Sequence, residues 1–462
     1  MKRRRTFKRN LVLLLILLVI GAAAAVTTVD DTPFKDRTGW PETMAAIDAA
    51  AAKVAFARGP LMAGFGSASL SPKLTGEQDW TTGTFPGLPI AGSSSRLGQK
   101  AQGEHDPLWA KAIAVEVGGT RVVFVSADLL MIPRDAADMI VADLGKLGLD
   151  RAGLYLAATH THAGPGGWGS HWTDILAAGF HVTGVNQWIA QQVEASIAAA
   201  LADLKPATLR EGEATVPELV RNRTDETAPV HAGFPILTFT QAGGRTAILG
   251  SYAAHAVILS GENELLSGDY PGAWQRDMEK RGFDFAMFMA GPVGGQTVVR
   301  STGTFDEVER VGSLLADRVT ANLANLTETP DPVLAKIGVT VTLPEPQVRF
   351  ADTWRVRPWL VERVLPFRPQ TFMQAVRLGD TIFFSTPADY AGELALPLEQ
   401  DLAAKGLRAA VTSFNGDYLG YFMPVKYDHL SGYETREMAY FGPGFGDFAA
   451  AILAREADAL GK

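Results

Sequence analysis

The sequence predicts a mixed α/β (α+β) fold, with a mixed sheet core flanked by helices, and three observations carry that expectation. Strand-like and helix-like segments alternate along the 462 residues without a regular strand–helix–strand rhythm. Hydrophobic residues make up 47% of the chain, ample material for a sizeable core. No Pro/Ser-rich linker divides the chain after residue 60, so residues 61–462 read as a single domain behind a lead-in segment, 30–60.

Alanines at 45–57 suit a helix leading into the body. Ala112 to Val117 and Arg121 to Ser126 flank Gly118-Gly119 and read as a β-hairpin. A helix pattern runs from Arg134 to Leu147, then a buried strand from Gly153 to Thr159. Asn186 to Leu204 carries Ala and Leu at helical spacing. Strand-like runs recur at Thr208 to Glu213, Ile236 to Thr240 and Thr246 to Ala253. A further helix is expected over Thr304 to Leu323, then strands as far as Phe384, and a last helix starting near Gly446.

Charge and composition narrow the function classes. A net charge of -8 with no basic stripe beyond the N-terminus argues against nucleic-acid binding. The chain has no cysteine, which removes disulfides, thiolate nucleophiles and every cysteine-ligated metal site. No Gly-x-Ser-x-Gly elbow is present. At the N-terminus, Lys2, Arg3, Arg4, Arg5, Lys8 and Arg9 precede the apolar run Leu11 to Ile20 and then four alanines. A basic flank, a short apolar stretch and small residues read as an export signal over 1–29. An uncleaved membrane anchor is the alternative, and either way the remainder is exported to the periplasm or beyond.

Two histidine segments carry chemistry. In ATHTHAGPGGWGS, His160 and His162 stand where a strand becomes a Gly/Pro-rich loop, and residues two apart in extended backbone share a face. Neutral imidazole is a good zinc ligand, and a second imidazole nearby can move a proton. Two hydrogen-bonded histidines at a strand end are the plainer alternative. His255, in SYAAHAVILSGENELLSGDYPG, closes another apolar run, and alone it decides little. A catalytic zinc site takes three protein ligands and an open position, so an oxygen donor is needed. Asp389 in FFSTPADYAGEL and Glu393 four residues on are candidates, though Asp389 also suits the N-cap of a following helix. Five tyrosines, at 418, 421, 427, 433 and 440, suggest a pocket lined with phenols.

Together, THTHAGPGG and AAHAVILSGENELLSGDYPG resemble the neutral/alkaline non-lysosomal ceramidases, in their N-terminal catalytic domain. GFGSASLSPKL at 64–74, GEHDPLWAKAIAVEVGGTRVVFVSADLL, Asn222-Arg223 and NGDYLGYFMPVKYDHLSGYE resemble further family blocks in the same order. The resemblance implies a zinc-dependent hydrolase of sphingolipid metabolism that cleaves the N-acyl bond of ceramide or a related N-acyl lipid. It implies Zn2+ ligation by His160, His255, Asp389 and Tyr421, with Asp389 at the family's glutamate position and one methylene shorter. It also implies proton transfer by His162 and oxyanion stabilisation by Tyr433 assisted by Arg223. Where the family has Gly-Asp-x-Ser-Pro, this chain has Gly294-Gly295-Gln296-Thr297-Val298, so Thr297 would stand in as substrate contact. The family's additional C-terminal β-sandwich is not expected in this sequence. Trp168, Trp172 and Phe180 are candidate walls for an acyl chain, and Trp354 to Phe367 suits either a membrane-surface contact or a covering loop. Two other functions fit the same residues: a zinc hydrolase of another acylated amine or ester, and a non-catalytic lipid-binding relative with an altered metal site.

Overall fold

The computed structural model describes residues 7–8, 10–13, 21, 23–171, 174–259, 261–365 and 367–462. Most of the basic flank and apolar run of the export segment, and Trp172, lie outside the described residues. Among the described residues no helix is long and apolar enough to cross a membrane.

The larger sheet contains β1 (Leu61–Ser69), β2 (Trp109–Val117), β3 (Thr120–Ala127), β4 (Leu154–Ala158), β5 (Lys205–Thr215), β6 (Gly233–Gln241), β7 (Thr246–Tyr252) and β8 (Phe285–Ala290). Their spatial order is β8-β7-β6-β5-β1-β2-β3-β4, with the short strand Thr327–Glu328 paired to β5. The interior pairings are antiparallel, but β7–β8 at one edge and β3–β4 at the other are parallel. The sheet curls until its edges meet: Ser126 Oγ on β3 donates to the Phe288 carbonyl on β8 at 2.5 Å. The smaller sheet is β9 (Leu334–Thr342), β10 (Gln370–Leu378), β11 (Thr381–Ser385) and β12 (Arg408–Thr412), with β11–β12 parallel.

The strands are dense in Val, Ile, Phe and Ala and buried on both faces, as between two layers. Phe124, Tyr155, Phe239, Met287 and Phe285 from the larger sheet meet Val376, Leu378 and Phe383 from the smaller one in a shared apolar layer. Helices cover the outer faces: α1 (Trp40–Ala51), α2 (Arg134–Ala142), α3 (Val185–Ala202), α4 (Asp269–Lys280), α5 (Phe305–Asn322), α6 (Pro358–Val364), α7 (Gly392–Ala403) and α8 (Phe445–Leu460). Helix α3 lies directly on strand backbone, because a Cβ at Gly64 or Gly66 would stand 2.1 or 2.3 Å from an α3 carbonyl oxygen. α1 and α8 pack on the smaller sheet through Ile47, Phe448 and Ile452.

The architecture is thus the sheet core with flanking helices that the sequence predicts. The details differ in three places. Helix α2 ends at Ala142 and not Leu147, with Leu144 and Leu149 packing as loop residues. Helix α4 begins at DYPG, in a stretch to which the sequence reading gives no element; Pro is tolerated in a first helical turn, where its missing N–H costs nothing. Asp389 caps no helix: the N-cap of α7 is Ala391, and Asp389–Tyr390 forms a short parallel pairing with Tyr421–Phe422.

Candidate metal centre

The segments leaving the carboxyl ends of four parallel-paired strands converge on one point. β4 leads into His160 and His162, β7 into His255, β11 into Asp389 and β12 into the loop that carries Tyr421. Curling of the larger sheet is what makes this possible, since β4 and β7 are six strands apart along it yet the His160 and His255 rings lie 4.8 Å apart. Binding at the carboxyl ends of parallel strands is the usual site of open α/β sheets.

Each imidazole is aimed by its far nitrogen. His160 Nδ1 donates to the Leu130 carbonyl at 2.8 Å, His162 Nδ1 to Gly92 at 2.6 Å, and His255 Nδ1 to Gln296 at 2.8 Å and Val293 at 3.0 Å. A carbonyl can only accept, so all three rings carry their proton on Nδ1 and turn a bare Nε2 lone pair inward. His160 is further held at φ 60°, a left-handed conformation rare for a side chain of its size, with its ring stacked on Phe414 at 3.8 Å. The His162 support is close-packed: Gly92 has φ 101°, a Cβ there would lie 2.5 Å from His162 Cα, and buried Arg96 donates to the Ala91 and His162 carbonyls.

The inward atoms are acceptors facing acceptors. His160 Nε2 and His162 Nε2 are 3.1 Å apart, His255 Nε2 is 2.9 Å from Asp389 Oδ1, and His160 Nε2 is 3.7 Å from that same oxygen. Burial holds His160 and His255 well below the ordinary imidazole pKa, and burial with the nearby His255 lowers His162 to about 3. The rings are therefore neutral, and the close approach of Asp389 to His255 is no ion pair. Asp389 Oδ2 accepts from Tyr418 at 2.8 Å, whereas Oδ1 is buried with no hydrogen-bond partner. A lone buried oxygen and unprotonated imidazole nitrogens at this spacing fit a divalent cation, His160 and His255 being the two that also face Asp389 Oδ1. With bonds of ~2.0–2.1 Å, tetrahedral donors stand roughly 3.3 Å apart, within the observed span. His160, His162 and His255 form a buried group that can hold a metal ion.

Charged and phenolic groups complete the floor. Arg223 Nη2 donates to Tyr421 Oη and His255 Nε2, both at 3.1 Å, and its Nε donates to Glu434 at 2.7 Å. Burial alone would depress the guanidinium, but Tyr421, Glu434 and Asp389 more than reverse this and it stays charged. Burial, then Asp389, push the Tyr421 phenol well above its ordinary range. Above the floor opens a cavity of about 1380 Å³, lined among others by Leu130, Met131, Trp168, Phe367 and Tyr440, and by Arg134, Asp135, Asp174 and Glu437. Tyr433 stands in its wall, 54% exposed, its ring 5.8 Å from Tyr421.

Of the residues singled out in the sequence, His160, His162, Arg223, Asp389, Tyr421, Tyr433 and Trp168 all border this cavity, and His255 lies immediately beneath. Three do not. Glu393 is turned away, accepting from Tyr427 and paired with Lys426, so it offers the centre no oxygen. Thr297 lies behind His255 in a backbone bridge, on a strand paired to Val220–Asn222, and is not among the cavity's lining residues. Phe180 packs near Gly98 with 62% of its surface exposed and does not line the cavity. Glu434, Arg96 and Phe414 escaped the sequence reading, whereas Tyr418 stands there as one of five tyrosines and does line the cavity.

Fold and site together define a two-sheet α/β protein with a histidine–carboxylate–tyrosine centre suited to a divalent metal. Comparison with known proteins shows what the chain is similar to. Residues 75–286 match the neutral/alkaline non-lysosomal ceramidase N-terminal model. The chain is 31% identical over 230 residues to neutral ceramidase of Pseudomonas aeruginosa, covering 45% of this chain and 34% of that protein. It is 28% identical over 200 residues to neutral ceramidase 2 of Arabidopsis thaliana, covering 39% and 26%. The matched stretch thus spans about a third or less of the curated relatives' length. In fold it is similar to the crystal structure of the Pseudomonas aeruginosa neutral ceramidase, with TM-score 0.73 and 20% identity over 87% of this chain and 74% of that one. A ceramidase complexed with C2 gives TM-score 0.72 over 87% and 75%. Residues 75–286 thus carry the likeness to the neutral/alkaline non-lysosomal ceramidase N-terminal domain, and the fold is similar to that of neutral ceramidase over most of the chain.

Proposed function

We propose that this protein is a zinc-dependent amide hydrolase that cleaves the N-acyl bond of ceramide or a related N-acyl lipid outside the cytoplasm, the body 61–462 acting as one catalytic domain. The observation that carries the reading is the set of unprotonated nitrogens and one orphaned carboxylate oxygen meeting at the floor of a large cavity. Similarity to relatives named neutral ceramidases suggests the substrate class.

His160, His255, Asp389 and Tyr421 would hold the ion. Zinc in such a site supplies Lewis acidity and brings the pKa of water to roughly 7. His162 is the proton carrier: its Nε2 takes a proton during attack and, being a weak base where it is buried, gives it up readily to the departing amine. Tyr433 presents its phenol to the cavity, and Arg223 keeps a fixed positive charge beside Tyr421, so both favour negative charge on the substrate oxygen. Trp168 serves as wall for the acyl chain, and Thr297 is assigned no substrate contact.

A second reading draws on the cavity's charged lining. Arg134, Asp135, Asp174 and Glu437 suit an acylated amine or ester with a polar head better than a purely apolar one. The deciding experiment measures metal content of the purified full chain and hydrolysis of a panel of N-acyl substrates differing in head group and chain length. One tightly held zinc, with turnover lost in His160→Ala, is the expected result. A metal-free protein with no turnover on any substrate would leave a lipid-binding relative instead.

A further inference from the structure

The segment 349–368 differs from the rest of this acidic chain. It contains five arginines and only two acidic residues, Asp352 and Glu362, whereas the whole chain is at -8. Within it Phe350, Trp354 and Trp359 are 55%, 44% and 50% exposed, three large aromatic side chains in one short stretch.

Their base is rigid. Arg349 and Arg355 are buried and hold backbone carbonyls, Arg349 those of Asp428 and Thr435, Arg355 those of Thr28 and Pro346. Asp352 is paired with Arg436, which lies in the turn that carries Tyr433. The aromatics are therefore presented outward from a fixed platform. Arg357 and Arg363 are exposed on it, the Arg363 guanidinium 5.9 Å from the Trp359 ring.

Two further features indicate what covers this face. Val26–Thr28 pairs antiparallel with Trp354–Val356, so the chain that succeeds the apolar run 11–26 enters the fold on this edge. On the other side, α6 leads directly to Leu365, Phe367 and Arg368, which line the cavity. We propose that this face docks on an anionic phospholipid bilayer. Phe350, Trp354 and Trp359 enter the headgroup region, and Arg357 and Arg363 meet lipid phosphates. Aromatic rings with one polar edge favour that boundary, and exposed arginines gain from its negative potential. Docked so, the cavity opens beside the lipid surface and a chain substrate reaches the centre without crossing water. The docking stands apart from the hydrolysis proposed above; only its consequence for substrate delivery rests on that reading.

The test uses the full chain on vesicles of phosphatidylcholine with a minor fraction of phosphatidylglycerol and brominated acyl chains. Tryptophan fluorescence should be quenched on binding, and Trp354→Phe with Trp359→Phe should remove most of that quenching while the protein still co-sediments. Arg357→Glu with Arg363→Glu should raise KM for vesicle-embedded N-acyl substrate by roughly tenfold or more, and leave kcat/KM on a short, water-soluble N-acyl substrate unchanged. Quenching unaffected by the tryptophan substitutions would overturn the proposal. So would a stable dimer of the full chain in detergent that Trp354→Glu dissociates, since a second copy would then own the face. Absence of hydrolysis on both substrates counts against the catalytic reading alone, because the quenching is read independently of turnover.

Discussion

Two carboxylates in the second half of the chain are buried alike and surrounded differently. Asp389 is 1% exposed at the cavity floor, with Tyr418 on one oxygen and two imidazoles, a phenol and a guanidinium grouped about the other. Glu456 is wholly buried on α8, and neither of its oxygens has a hydrogen-bond partner among the described residues. Burial raises the pKa of both, but for Asp389 the neighbours His160, Tyr418 and Arg223 oppose it, while for Glu456 nothing does. An unpaired buried oxygen is thus no sign of a site by itself. It becomes one when other lone pairs are held at the same point by bonds that leave them no proton, and only the Asp389 region meets that condition.

If this distinction is right, removing the two carboxylates has opposite consequences. Asp389→Ala should abolish tight metal binding and hydrolysis together, a larger loss than the roughly 100-fold typical of an outer hydrogen-bond partner, as measured by metal titration of the purified protein. Retention of tight metal by this variant would show that the histidines alone define the centre. Arg223→Met should come next, lowering kcat by roughly 10²- to 10³-fold with a smaller change in metal affinity, if its charge beside Tyr421 acts on the substrate oxygen as proposed. Tyr418→Phe removes one hydrogen bond from Asp389 Oδ2 and leaves its ring packing near Phe414. Its expected signature is metal binding weakened by about 10- to 100-fold at an unchanged melting temperature.

The same contrast explains which features were legible in the sequence. His160 and His162 stood out because they lie at a strand end beside a Gly/Pro-rich loop, while His255, closing an apolar run, decided little alone; the aiming partners of all three are backbone carbonyls that any sequence supplies. The sheet-and-helix class emerged equally directly from apolar strands such as Ala112–Val117. The oxygen donors were harder. Asp389 reads as a cap residue, because its meaning depends on a parallel pairing with Tyr421, thirty-two residues on, that no local pattern announces. Thr297 is expected as a substrate contact because the resemblance puts it in place of a family serine, yet the bridge to His255 turns that strand into a support. Arg96 and Glu434 act across long separations on groups that were themselves found, so only the folded chain reveals them, and Tyr418, found as one of five tyrosines, shows its bond to Asp389 only in the fold. Curling of the larger sheet is the same problem at fold scale, since meeting of its edges is a property of accumulated strand twist and not of any segment.

Glu456 yields the smallest effect and the one that isolates burial from function. With a folded-state pKa above that of an unfolded carboxyl group at about 4.3, the native protein binds this proton more tightly than the unfolded chain does. Its contribution is therefore complete below that unfolded value, and stability declines as pH rises, until the folded pKa is passed. Over that window the slope from one proton approaches about 1.4 kcal/mol per pH unit. Tyr155 is the nearby ionisable group, but burial raises its own pKa far enough that it stays neutral throughout. Two substitutions divide the cost. Glu456→Gln removes the titration but keeps an unsatisfied polar group, so it should flatten the pH dependence alone. Glu456→Leu should flatten it equally and add about 1–3 kcal/mol of stability in urea unfolding at neutral pH. Were Glu456→Leu instead to destabilise the fold or lower metal affinity, this carboxylate would have a partner or a role of its own, and the contrast with Asp389 would fail.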